Sequence, residues 1–199
     1  MEKVAIIGHS FVRRLGEFLE DHPEKDPHFG MDHRRVSLLH CGGITMFEVR
    51  RTFEDQIRML DPDWVVVVLG DNDADNHRLQ VEGLATMIIN TALQYLRRRE
   101  VPVIVTNLMP RYTGSRRYSR TYNGRAVQVN SELRRQVQLY QDVSFWVHKF
   151  AVFPEDEATT AAYHRNRHLY KPDGVHLSED GYFRYYRSLA KLLNGLRRQ

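Results

Sequence analysis

The 199 residues contain one cysteine, Cys41, so no disulfide can close within the chain, and such sparse cysteine fits a reducing compartment. No apolar run approaches the roughly 20 residues that a membrane-crossing helix needs. A strong charge of one sign is also missing. Twenty-nine Lys and Arg against 25 Asp and Glu leave a net charge of +4, too mild by itself to argue for nucleic acid. The chain starts Met1-Glu2-Lys3-Val4 and enters a strand-like run without the apolar core of a secretory signal, so the expected location is cytoplasmic. Internal repeats, low-complexity tracts and domain linkers are lacking too. One domain over residues 1–199 is expected, long enough to bury a substantial core.

Present instead is a regular alternation of strand-like and helical patterns. Apolar runs at about 3–8, 35–40, 64–69, 102–107 and 144–148 read as strands, and unbroken Val/Ile stretches such as 65–68 suit strands covered on both faces. Between them lie helical stripes: Phe11, Leu15, Phe18 and Leu19; Met46, Val49, Phe53, Ile57 and Leu60; Val81, Leu84, Ile88, Ala92 and Tyr95; Val129, Leu133, Val137 and Tyr140. Thr45-x-x-Glu48 reads as a capping box opening the second helix. Ser178 is a candidate N-cap for a last helix carrying Tyr182, Leu189, Leu193 and Leu196. Strict β/α alternation implies a parallel sheet sandwiched by helices. The segments 109–122 and 151–175 read as irregular loops over one rim of that sheet, candidate walls of a substrate pocket.

Four short blocks should meet on the same rim. Gly8-His9-Ser10, Gly42-Gly43 and Gly70-Asp71-Asn72-Asp73 each follow a strand-like run, and Asp173-Gly174-Val175-His176 lies near the C-terminus. Ligands of open α/β sheets bind beyond the carboxyl ends of the strands. A serine, backbone amides, an asparagine and an Asp/His pair there are the components of a serine hydrolase. Each block has a plainer reading. Ser10 alone suits a helix N-cap, Asn72 and Asp73 suit a turn, and Asp173-x-x-His176 suits a cap before the last helix.

In this order the blocks resemble those of the SGNH (GDSL-like) hydrolase family, over nearly the whole chain. The compact length is further similar to the esterase domains in the first reading frame of some animal LINE retrotransposons. The resemblance implies a flavodoxin-like three-layer α/β/α sandwich with a five-stranded parallel sheet, read here as strand order 2-1-3-4-5. It implies Ser10 as nucleophile, His176 as general base and Asp173 as the group that orients His176. The N–H groups of Ser10 and Gly43 and the amide of Asn72 would form the oxyanion hole. Implied substrates are short acyl or acetyl esters of lipids, carbohydrates or small molecules, with no metal or organic cofactor. The chain departs from the family pattern once: its usual Asp in the first block is His9. An α/β-hydrolase fits less well, since Gly-x-Ser-x-Gly fails at Val12.

Arg111, Arg116, Arg117, Arg120 and Arg125 interleave with Tyr112, Tyr118 and Tyr122. They read either as solvated charges with tyrosines packed on the rim, or as a surface for an anionic substrate or nucleic acid. For the second reading the candidates are Arg116, Arg117, Tyr118 and Arg120, and the matching alternative function is a catalytically weak or inactive module of the same fold, of retroelement origin, binding nucleic acid or a partner protein. Asp71, Asp73, Asp75 and Glu82 fall on calcium-loop positions 1, 3, 5 and 12, but Asn76 stands where that loop needs glycine. His164 and His168 sit four apart in a basic stretch that reads as a solvated loop.

Overall fold

Val4, Ala5, Ile6 and Ile7 are each 0% exposed, so the first strand has no solvent face. Its side chains alternate between two cores. Ala5 and Ile7 join Val65, Val67, Val103 and Val105 on one side; Val4 and Ile6 join Val66, Val68 and Ile104 on the other. Apolar residues at every position are therefore what a strand with helices on both faces demands.

The structure, a computed structural model, describes residues 1–76, 78–99, 101–112, 116–155 and 157–196, with the side chains of 95–99, 116–120, 157 and 158 outside that description. Five parallel strands, β1 (Glu2–Gly8), β2 (Arg34–His40), β3 (Trp64–Val68), β4 (Val103–Thr106) and β5 (Val143–Trp146), pair in the order β2-β1-β3-β4-β5. This is the expected flavodoxin-like order. Helices α2 (Val49–Leu60), α3 (Val81–Arg99) and α4 (Arg116–Val137) bury Phe53, Ile88 and Val129 in the first core. Helices α1 (Ser10–Asp21) and α6 (Glu179–Gly195) bury Leu15 and Leu189 in the second, with Tyr163 of α5 (Glu157–Arg165). The order reverses between β1 and β3, and the register sets Gly8 level with His40 and Val68 at the carboxyl ends. The connections that leave this level carry Ser10, Gly43 and Asn72. Among the described residues, no helix is long and apolar enough to cross a membrane.

Local details differ from the sequence reading. The segment 109–122 is not all loop, because α4 begins at Arg116 and its buried stripe runs through Tyr122, Ala126, Val129, Leu133 and Val137. Asn123, Gly124 and Arg125 between Tyr122 and Ala126 hid that periodicity. The segment 151–175 contains α5 and a 3₁₀ turn at Asn166–Leu169. Thr45 and Glu48 do not make a full capping box. Glu48 accepts from the Thr45 N–H at 3.0 Å and the Thr45 hydroxyl at 2.7 Å, closing a turn, and the helix starts only at Val49. The Ser178 cap forms as expected, accepting from Gly181 N–H at 3.2 Å. Tyr95 of the third stripe lies outside the described side chains.

Candidate active site

The turn from β1 into α1 is built for close approach. A Cβ on Gly8 would sit 2.7 Å from the Val68 carbonyl oxygen and 2.4 Å from Val12 Cγ2, so only glycine lets β1 run this close to β3 and α1. The His9 carbonyl accepts from Val12 and Arg13 N–H and launches the helix. Ser10 is thus the first helical residue, not the cap, and its hydroxyl makes no hydrogen bond among the described residues. Its N–H, at the positive end of α1, also has no acceptor among them.

Gly43 adopts φ 75°, a left-handed conformation that favours glycine, and a Cβ there would meet nothing within 4 Å. Backbone conformation, more than crowding, explains the residue. Its N–H is uncommitted among the described residues. Asn72 follows β3 and donates one amide hydrogen to the Ile44 carbonyl at 2.9 Å, and its other amide hydrogen has no acceptor among the described residues. Asp73 accepts from Met46 N–H with both carboxylate oxygens at 3.1 Å, and burial raises its pKa. Asn72 and Asp73 therefore clamp the segment just after Gly43, at Ile44 and Met46.

The Asp/His block forms a local pair. His176 Nδ1 lies 2.8 Å from Asp173 Oδ2, while Asp173 Oδ1 accepts from the Val175 and His176 amides at 2.8 and 2.9 Å. Burial pushes the Asp173 carboxyl up, but its hydrogen bonds from His176 and Val175 outweigh this and bring it to about 2. Asp173 is an anion at any ordinary pH and holds Nδ1 as the protonated nitrogen, which frees Nε2 as a base. The loop is tied to the rim by Tyr112 N–H donating to Gly174 O at 2.6 Å, and at the start of α6, which follows it, Glu179 contacts His22 just past α1 at 3.1 Å.

The Ser10 turn, the Gly43 loop, the Asn72 loop and the Asp173–His176 pair thus share the carboxyl rim of one sheet. The sequence profile described as the GDSL-like lipase/acylhydrolase family matches residues 8–184, from the glycine before Ser10 to beyond His176. The chain belongs to this family. No curated protein sequence matches it. Among solved structures, the lipase/acylhydrolase from Enterococcus faecalis superposes with a TM-score of 0.72 at 16% identity, covering 100% of both chains. A GDSL-like lipase from Bacteroides thetaiotaomicron gives 0.70 at 17%, covering 97% of this chain and 88% of its own. An acetylxylan esterase from Geobacillus stearothermophilus gives 0.63 at 16%, with 98% and 95% covered. At such identities the superpositions establish the shared fold.

The Arg/Tyr segment is, where described, internal scaffolding of this family fold. Arg111 is 7% exposed, pairs with Asp75, donates to the Asp71 carbonyl at 2.9 Å and lies 4.0 Å over the Tyr122 ring. A buried guanidinium is tolerated only when paired and hydrogen-bonded in this way. Tyr112 stacks on Tyr163 at 4.1 Å, and Arg125 donates to the Leu79 carbonyl. These groups are not solvated charges, nor are they free to grip phosphates. Arg116, Arg117, Tyr118 and Arg120 lie outside the described side chains. The calcium-like spacing has a different use: Asp71 takes His9, Asp73 takes Met46 N–H, and Asp75 takes Arg111.

Two residues escaped the sequence reading. Asp71 is 4% exposed and accepts from His9 Nε2 at 2.9 Å, Met109 N–H at 3.0 Å and Tyr122 O–H at 3.0 Å. The exchange of the family's Asp for His9, beside a surplus carboxylate at 71, was the available signal. His148 follows β5, is 1% exposed, and contacts Ser188 Oγ through Nδ1 at 2.8 Å. Burial drives its pKa down to about 3, against a smaller upward pull from Asp71. The folded protein keeps this imidazole neutral, whereas the unfolded chain protonates it below its ordinary value near 6.5. Stability therefore falls with pH below that value by about 1.4 kcal/mol per unit, until the folded state also protonates near pH 3. Between pH 7 and 5, urea titrations of wild type and His148→Asn should diverge, the wild type losing about 2 kcal/mol more. Identical pH dependence of the two proteins would refute the buried neutral state.

Proposed function

We propose that this acylhydrolase-family protein is a serine esterase that cleaves short acyl or acetyl carboxylic esters through an acyl-Ser10 intermediate. The Asp173–His176 hydrogen bond carries the reading, because it orients the imidazole with Nε2 free. Ser10 Oγ attacks the ester carbonyl while His176 Nε2 removes its proton, and Asp173 stabilises the resulting imidazolium. The carbonyl oxygen becomes an oxyanion and takes hydrogen bonds from Ser10 N–H, Gly43 N–H and the second amide hydrogen of Asn72. One such donor is typically worth about 2.7–4 kcal/mol in the transition state. His176 returns the proton to the departing alcohol, then activates a water that releases the acid from Ser10.

This sequence of proton transfers uses only the chain's own groups and calls for no metal or organic cofactor. Phe47, 72% exposed on the loop that follows Gly43, offers apolar surface for an ester substituent. An acetylxylan esterase among the structural neighbours supports carbohydrate acetates as one substrate class beside lipid and small-molecule esters. The proposal takes residues 1–199 as one catalytic unit working in the cytoplasm, akin to the retrotransposon esterase domains; the four motif blocks and the lone Cys41 support it.

A fluorophosphonate probe tests the central step, since only an activated serine reacts with it. The wild type is expected to label at a single site, mapped to Ser10 by peptide mass spectrometry. Folded wild-type protein that neither labels nor hydrolyses acetate esters would sink the proposal.

A further inference from the structure

His9 and Asp71 form a second Asp–His pair at the same rim, buried where Asp173–His176 is partly exposed. His9 is 1% exposed and its Nε2 is 2.9 Å from Asp71 Oδ2 across 62 residues of sequence. Burial pushes the Asp71 carboxyl up, but His9, Met109 N–H and Arg111 outweigh it and hold the group below the ordinary carboxylate range. An ionised Asp71 only accepts, so His9 donates through Nε2–H. His9 Nδ1 is buried with no partner among the described residues, and the ring lies edge-on to Phe11 at 5.2 Å between centroids.

Asp71 cannot follow His9 if the turn moves. Its other oxygen is held by Met109 N–H and Tyr122 O–H, and its carbonyl by Arg111. Arg111 and Tyr112 are consecutive, and Tyr112 N–H holds Gly174 inside the Asp173–His176 loop. One anchored carboxylate thus fixes the residue before Ser10, begins the Asn72 loop, and connects through β4's exit to the proposed base.

We propose that the His9–Asp71 hydrogen bond is a positioning element that sets Ser10 against the oxyanion donors and His176. It rests on the esterase reading above. His9 does not touch substrate; it acts by fixing the backbone from which Ser10 projects.

The imidazole's two nitrogens make the test selective. A glutamine amide nitrogen can stand near His Nε2 and reach Asp71, whereas an asparagine amide nitrogen stands near Nδ1 and cannot. With p-nitrophenyl acetate, His9→Leu and His9→Asn are expected to lose about 10²-fold in kcat, as for a reacting atom misplaced by about 1 Å, with KM nearly unchanged. His9→Gln should stay within roughly fivefold of wild type. Thermal melting checks folding, and if His9→Leu fails to fold, the Gln/Asn pair decides. Wild-type kcat in a folded His9→Leu, equal kcat in the Gln and Asn variants, or a loss confined to KM each overturns the proposal. Those results leave the esterase reading intact, whereas wild-type protein without Ser10-dependent turnover removes both.

Discussion

Ser10→Ala is expected to hydrolyse p-nitrophenyl acetate at least about 10³-fold more slowly than the wild type, and His176→Ala to fall as far. The two should not add, because nucleophile and base act as one unit and removing either ends acyl-enzyme chemistry. Ser10 is half-buried at the start of α1 with an uncommitted hydroxyl, so alanine there disturbs little else and stability should hold. Asp173→Asn is the sharper probe of the third member. Its carbonyl can still accept from the Val175 and His176 amides, which keeps the loop, but its NH₂ then faces His176 Nδ1 and selects the wrong tautomer. Steady-state kinetics with burst-phase analysis measures all three. Wild-type turnover by a folded Ser10→Ala protein would exclude the mechanism.

Asn72→Ala should lower kcat by roughly 10²–10³ with a much smaller change in KM, because oxyanion charge develops mainly in the transition state. The structure adds a second consequence. Asn72 also donates to the Ile44 carbonyl at 2.9 Å, so its loss loosens one of two clamps on the Gly43 loop. The other clamp, Asp73 on Met46 N–H, remains, and the melting temperature should change little. Fluorophosphonate labelling of Ser10 should slow in parallel, since the phosphoryl oxygen would use the same donors. A rise in KM at unchanged kcat would make Asn72 a ground-state binding residue instead.

Legibility in the sequence followed the range of the interaction. The five strands could be read because each carries its own apolar run, and β3, with Trp64 and four valines, needs no partner to be recognised. Asp173 and His176 could be paired because they lie three positions apart in a block that resembles the family's Asp-x-x-His. The arginines between 111 and 125 were harder to read. Exposure is the ordinary state of an arginine, and only partners from elsewhere bury one. Arg111 draws Asp75 from 36 positions away and Tyr163 from 52. The start of α4 was hidden for a related reason: Tyr122 packs inward against Asp71, and no local pattern distinguishes it from a surface tyrosine.

The sequence alone determined the alternating strands and helices of the layered fold and the rim expected for Ser10, Gly43, Asn72, Asp173 and His176, while the strand order came from the family resemblance. Apolar periodicity and glycine placement are local properties that dictate local structure. The tertiary structure alone decided that His9 meets Asp71, that Arg111 is a buried strap, and that His148 sits neutral against Ser188. Each of these depends on whether a polar group, once removed from water, finds a partner, and that partner arrives from a distant strand or helix only when the sheet has assembled.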